Sequence, residues 1–181
     1  IIMKGRNMFI ALATAIGLIC ASNASAQNFS LKLGGGMGLS PKVVNTTGGN
    51  KIGPSITMEG AYLFNDYFSV ALNLHANNTK YTQAGWKQDY GASLRGLVKP
   101  FGKIVELGAG ATGVYRNIKD KAHDTYLTQD LIWGMDFPIR IYAWESDMWQ
   151  VMFYYDIKTI FDDKRMHLNY SNIGVMFGIR L

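Results

Sequence analysis

The chain has 181 residues, of which 48% are hydrophobic, 17% charged and 13% aromatic, with 20 glycines against 4 prolines; its mean hydropathy is +0.00. That length fits one domain. The aromatic content excludes a disordered chain, and the lack of any run of about 20 apolar residues excludes a helical membrane bundle. The formal charge of +5 shrinks once a leader is set aside, and the weak basic excess that remains speaks against nucleic acid as a partner.

Residues 1–26 read as a signal peptide. Lys4 and Arg6 form a basic start, residues 8–21 an apolar stretch, and Ala24-Ser25-Ala26 a small-x-small cleavage pattern before Gln27. The stretch is too short to cross about 30 Å of hydrocarbon as a helix. Cys20 is the only cysteine, and Leu18 and Ile19 stand where a lipoprotein signal wants small residues. The mature chain, residues 27–181, therefore has no thiol. Without Lys4 and Arg6 it holds 16 Lys+Arg against 13 Asp+Glu, a net +3.

From Asn28 onward, apolar residues alternate with period 2, the signature of strands. The first segment sets Phe29, Leu31, Leu33, Met37 and Leu39 against Ser30, Lys32, Gly34, Gly36 and Gly38. The second sets Ile52, Pro54, Ile56, Met58 and Tyr62 against Ser55, Thr57, Glu59 and Ala61, and the third Phe68, Val70, Leu72 and Leu74 against Ser69, Ala71, Asn73 and His75. The fourth opposes Trp86, Tyr90, Ala92, Leu94 and Val98 to Lys87, Asp89, Gly91, Ser93 and Arg95. The fifth opposes Val105, Leu107, Ala109, Ala111 and Tyr115 to Glu106, Gly108, Gly110, Thr112 and Arg116.

In the sixth, Leu127, Leu131, Trp133, Met135, Phe137, Ile139 and Ile141 face away from Thr128, Asp130, Gly134, Asp136 and Arg140. The seventh splits Trp149, Val151, Phe153, Tyr155 and Ile157 from Gln150, Met152, Tyr154, Asp156 and Lys158. The eighth splits Ile173, Val175, Phe177, Ile179 and Leu181 from Asn172, Gly174, Met176, Gly178 and Arg180. Links after even segments are short: Asn65-Asp66, Lys99-Pro100-Phe101-Gly102 and Glu145-Ser146-Asp147. Links after odd segments read as long polar loops, through Asn45 to Asn50, Asn77 to Lys80, Lys119 to Asp124 and Asp162 to Arg165. Alternating short and long links fit an all-β, eight-stranded antiparallel up-and-down barrel whose two ends face different environments.

The polar class decides which face is wet. It carries many glycines, which cost stability and cover nothing on a solvated strand but make room for long side chains inside a narrow barrel. It also carries nearly balanced charge. Enclosed charges must be paired, so Lys32, Glu59, Arg95, Glu106, Arg116, Asp130, Asp136, Arg140 and Asp156 are expected to form a lumenal ion-pair network. The apolar class is almost free of charge, with Gln88 and Gln129 as its polar exceptions near the long links. Aromatics crowd toward segment ends, with Tyr62, Phe64, Tyr67, Phe68, Phe101, Tyr142, Trp144 and Trp149 at the short-turn end. Such belts mark the two interfaces of a transmembrane barrel.

With that pattern the chain resembles the small eight-stranded outer-membrane barrels, the OmpA transmembrane-domain and OmpX kind, over residues 27–181. The most specific local element is the last strand, where Gly174, Phe177, Ile179 and Leu181 resemble the C-terminal signal read by the outer-membrane assembly machinery. That family most often ends on Phe, and here the last residue is Leu181. The resemblance implies export by the signal peptide to the bacterial outer membrane, with the lipid bilayer, lipopolysaccharide and the assembly machinery as partners.

Chemistry is sparse. Three histidines and no mature cysteine argue against a structural zinc site, and no phosphate-binding loop precedes a helix, so no cofactor and no catalytic residue are expected. Lipid A deacylases on barrels of this type carry a Ser-His-acid set on the lipid-facing wall, and the outward class here holds no His, Asp or Glu. The expectation is a non-enzymatic protein with an envelope-structural or surface-interaction role, such as adhesion to an extracellular ligand through four long loops. The alternatives are a lipid A-modifying acyl hydrolase or transferase and a porin-like small-solute channel, the latter opposed by an interior that eight strands just fill.

Overall fold

A computed structural model of the protein describes residues 28–40, 51–80, 85–120, 125–162 and 165–181. Residues 1–27, 41–50, 81–84, 121–124 and 163–164, and the side chain of Asp130, lie outside that description. The rest forms one closed barrel in which each strand pairs with its neighbours in sequence order and the last pairs with the first. The strands are β1 (Phe29–Ser40), β2 (Lys51–Leu63), β3 (Phe68–Lys80), β4 (Gly85–Val98), β5 (Val105–Asp120), β6 (Thr125–Glu145), β7 (Trp149–Asp162) and β8 (Arg165–Arg180). All pairs are antiparallel.

The strands are tilted. One row of paired residues runs Lys32, Glu59, Asn73, Ser93, Thr112, Gly134, Ile160 and His167. It reaches β8 four residues past Ser171, which marks the last pair between β8 and β1. Rows therefore climb toward the long-link end from β1 to β8, the stagger that closing a sheet into a barrel demands.

Period-2 alternation sorts the side chains as the sequence implies. Leu33, Ile56, Leu94, Leu131, Phe153 and Phe177 stand exposed on the outer wall, whereas Lys32, Glu59, Arg95, Asp136 and Asp156 are buried inside. In water this distribution would be inverted; in a bilayer it buries the apolar band in lipid. Leu94, 60% exposed, sits on that band, and Leu94→Lys is expected to cost about 2–4 kcal/mol. Urea titration of the refolded variant in lipid vesicles checks the figure; an unchanged midpoint would mean that the faces are reversed.

Short turns are set by local side-chain bonds. Asn65 Oδ1 accepts the backbone N–H groups of Tyr67 (2.9 Å) and Phe68 (2.8 Å). Ser146 Oγ accepts the N–H of Trp149 at 3.0 Å. In the β4–β5 turn Gly102 takes φ 66°, a conformation natural to glycine.

Two expectations need correction. Parts of three of the four long links are strand: Asn77 to Lys80 belong to β3, Lys119 and Asp120 to β5, and Asp162 and Arg165 close the β7 and β8 ladders, the other residues of those links lying outside the described residues. Where a hairpin continues beyond the lipid band both its faces are polar, so alternation fades although the backbone still pairs. Tyr142 is not part of the outer aromatic belt. It shares the inward parity of Arg140, and a register shift between Tyr142 and Trp144 turns the following residues outward.

Candidate functional site

The lumen is organised around a charge lattice on six strands. Arg95 of β4 stands at its centre, 1% exposed. Its Nη1 donates to Glu59 Oε2 of β2 at 3.0 Å. Its Nε and Nη2 donate to Asp136 Oδ2 of β6 at 2.8 and 2.6 Å, and Nη2 also reaches Asp156 Oδ2 of β7 at 2.8 Å. Lys158 Nζ donates to the same Asp136 oxygen at 2.7 Å. Toward the short-turn end, Arg140 bridges Glu59 and Glu106. Lys32 Nζ lies 3.3 Å from Glu59 Oε1 and 3.4 Å from Glu106 Oε1, and Tyr142 Oη donates to Glu106 Oε2 at 3.0 Å.

This lattice is neutral: Lys32, Arg95, Arg140 and Lys158 face Glu59, Glu106, Asp136 and Asp156, and every one of these side chains is at most 3% exposed. Neutrality matters because an uncompensated charge in a low-dielectric interior costs several kcal/mol. Loss of the Tyr142 hydroxyl in Tyr142→Phe, which leaves a carboxylate oxygen short of a donor, is expected to destabilise the barrel by about 1–3 kcal/mol. Denaturant titration checks this.

Two smaller clusters flank the lattice. At the short-turn end, Glu145 accepts from Lys99 Nζ and Gln150 Nε2, each at 2.8 Å, and from Arg180. Lys99, in the β4–β5 turn, also lies 4.4 Å above the Tyr142 ring. Burial lowers its ammonium pKa below the ordinary lysine value, against the opposing pull of Glu145. Toward the other end, Arg116 Nε donates to Asp89 Oδ1 at 2.9 Å, and Lys87 lies 3.3 Å from the same carboxylate.

Side chains fill the remaining bore. Tyr142, Met152, Tyr154 and Met176 pack as one cluster and Val114, Ile160 and Ile132 as another. Some glycines serve the purpose the sequence implies: a Cβ on Gly91 would meet the His75 ring at 2.4 Å, and one on Gly178 would meet Lys32 Cγ at 3.1 Å. A shallow pocket at the short-turn mouth, lined by Lys32, Lys99, Glu106, Tyr142 and Gln150, holds only about 10 Å³ of water-sized space, room for about one water.

Seven of the nine expected network residues thus come together: Lys32, Glu59, Arg95, Glu106, Asp136, Arg140 and Asp156. Arg116 belongs instead to the outer cluster. The backbone of Asp130 lies opposite it in the β5–β6 register. Lys158 and Asp89, which the sequence sets on the inward polar face, join the lattice and the outer cluster respectively; Glu145, at the end of β6 where strand and turn are hard to divide, is the member sequence reasoning missed. Gly174, Phe177 and Ile179 lie on β8, with Phe177 and the final Leu181 exposed on its outer side. Among the described residues no group of three or more His, Cys, Asp or Glu is arranged to hold a metal ion.

The sequence matches the family described as outer membrane protein beta-barrel domain over residues 11–180. Similar solved structures include Neisserial surface protein A, with 12% identity, 84% of this chain and 97% of that one covered, and a TM-score of 0.59. Ail, the attachment invasion locus protein of Yersinia pestis, is 9% identical over 85% of this chain and 98% of its own, with a TM-score of 0.54. The N-terminal β-barrel domain of Pseudomonas aeruginosa OprF is 12% identical, with coverage of 84% and 97% and a TM-score of 0.52. No curated protein matches the sequence.

Proposed function

The chain belongs to the outer membrane protein β-barrel domain family and resides in the bacterial outer membrane, and on that premise we propose that it is a non-enzymatic envelope protein, a closed and rigid barrel acting through its surface. The observation that carries this reading is the neutral, fully buried lattice around Arg95, with apolar side chains filling the bore beside it. Such a lumen offers no aqueous path of useful width and no apolar slot for an acyl chain. His75, Glu59, Asp89, Glu106, Asp136 and Asp156 are all buried inside, so among the strand residues whose side chains are described the wall carries no acid–base pair of the kind that hydrolysis of a lipid ester needs.

The long-link end is the outward one in this reading, and its extended hairpins supply the interaction surface, since loops and hairpin tips on a rigid scaffold are where recognition concentrates. Ail, of the same fold, is an attachment invasion protein and has been crystallised with a heparin analogue, sucrose octasulfate; surface recognition is therefore compatible with this architecture. The last strand would be read by the assembly machinery through Gly174, Phe177, Ile179 and Leu181.

Mass spectrometry of lipid A from cells lacking and overproducing the protein tests the non-enzymatic role. Identical spectra are expected. A species that has lost or gained an acyl chain in step with expression would establish the alternative, a lipid A-modifying enzyme.

A further inference from the structure

β1 and β8 close the barrel, and no turn joins them. A hairpin takes its register from its turn; this pairing, from Ser30–Arg180 to Leu39–Ser171, must take it from side chains. The outer face does not supply it. Leu33, Gly35 and Met37 meet Phe177, Val175 and Ile173 there, and a slip of two residues would leave the same wall facing lipid. A slip of one turns every side chain to the other face, so the hydrophobic pattern excludes odd slips and leaves even ones open.

The inward face is different. Lys32 pairs with Gly178, Gly34 with Met176, Gly36 with Gly174 and Gly38 with Asn172, so each of these inward side chains meets a glycine on the other strand. The side chains use that room. A Cβ on Gly178 would lie 3.1 Å from Lys32 Cγ, one on Gly34 3.2 Å from Met176 Cγ, and one on Gly38 3.4 Å from Asn172 Oδ1. At Gly36 and Gly174 the backbones themselves close up, and a Cβ on Gly174 would lie 2.2 Å from the carbonyl oxygen of Gly35. The position opposite Gly36 therefore has no space for a side chain.

Neither slip of two keeps these matches. In one, Arg180 comes opposite Lys32 and Met176 opposite Gly36; in the other, Met176 comes opposite Lys32 and Asn172 opposite Gly36. The first is the one that threatens the lumen. The paired row begun at Lys32 reaches β8 at His167, on the long-link side of Gly178. Bringing Arg180 opposite Lys32 lengthens that stagger, which widens a barrel of fixed strand number. The second slip shortens the stagger and presses the wall onto the packed lattice.

We propose that the glycines of the closing seam are a register code that holds the lumen at its sealed bore. The wider register is excluded twice, by Met176 opposite Gly36 and by the like charges of Lys32 and Arg180, since like charges directly opposite destabilise a strand pair. Gly174, one of the residues expected to be read during assembly, then has a second task in closure.

Disulfide trapping of the full-length barrel refolded in lipid vesicles tests this, because residues 27–181 contain no cysteine. Residues paired across an antiparallel ladder have Cα atoms about 4.5–5.5 Å apart, within disulfide range, whereas positions two residues out of register lie beyond it. Leu33→Cys/Phe177→Cys reports the native register and Leu33→Cys/Ile179→Cys the wider one. In the otherwise natural chain only the first pair is expected to link, a comparison that needs no further substitution and stands even where other variants fold poorly. Adding Met176→Gly/Arg180→Gln removes both barriers, and linkage of positions 33 and 179 is expected to rise about tenfold. Met176→Ala/Arg180→Gln loses nearly as much packing but keeps a Cβ opposite Gly36 in the wider register, and should leave that linkage at its baseline. All variants are scored on the heat-modifiable, folded fraction alone. Ready linkage of positions 33 and 179 in the natural chain, no rise with the glycine variant, or an equal rise with the alanine variant would each overturn the proposal.

Discussion

Replacing Arg95 by Met is expected to cost about 3–5 kcal/mol. Arg95 is the donor shared by Glu59, Asp136 and Asp156; methionine fills much of its volume but leaves three carboxylates with fewer cations, and the lattice acquires a net negative charge inside a wall that excludes water. Equilibrium urea titration in lipid vesicles measures the loss. Neutrality, rather than any one bond, is the quantity at stake, and a second pair of variants separates the two. Lys32→Met leaves the lattice one charge negative and Glu106→Gln leaves it one charge positive, whereas the double variant restores balance, keeps an acceptor oxygen for Arg140 and turns its amide NH2 as a donor to the Tyr142 hydroxyl oxygen. The double variant is expected to be more stable than the sum of the single losses implies, with a coupling of about 0.5–3 kcal/mol. Strict additivity would show that the pairs act independently.

Gly36→Val and Gly174→Val are expected to prevent closure of the barrel. A Cβ on Gly36 would lie 2.0 Å from the carbonyl oxygen of Ile173 and 2.7 Å from the Cα of Gly174; one on Gly174 would lie 2.2 Å from the carbonyl oxygen of Gly35. These are backbone atoms, and no rotamer change can move them aside. The seam they occupy joins β1 to β8, the pairing with the largest sequence separation, which forms only when the two ends of the chain meet. Refolded samples should lack the heat-modifiable species. Gly35→Ala is the control: its Cβ would point into open space on the outer wall, with no atom within 4 Å, and should leave the folded fraction unchanged.

Parity made the lumen legible. Lys32, Glu59, Arg95, Glu106, Asp136, Arg140 and Asp156 could be placed together without coordinates because a strand offers a side chain only two directions, and a closed barrel makes one of them the interior. Where two rules competed, the more local one won. Tyr142 was assigned to the aromatic belt by its position near a strand end, yet it has the parity of Arg140 and holds Glu106. Loop boundaries were harder to read, because the polar composition of Asn77 to Lys80 reports solvent on both faces and not the loss of backbone pairing. Glycine carried two meanings that sequence does not separate. At Gly91 it admits the His75 ring, whereas at Gly36 and Gly174 it permits two backbones to approach.

Planar-bilayer recording from the purified wild-type barrel tests the central claim, a lumen closed by a neutral lattice and the side chains packed beside it. No stepwise current above the bare-membrane baseline is expected in molar potassium chloride. Reproducible ohmic steps of uniform size would contradict the account, because they require a continuous water path past Arg95 and the carboxylates it joins.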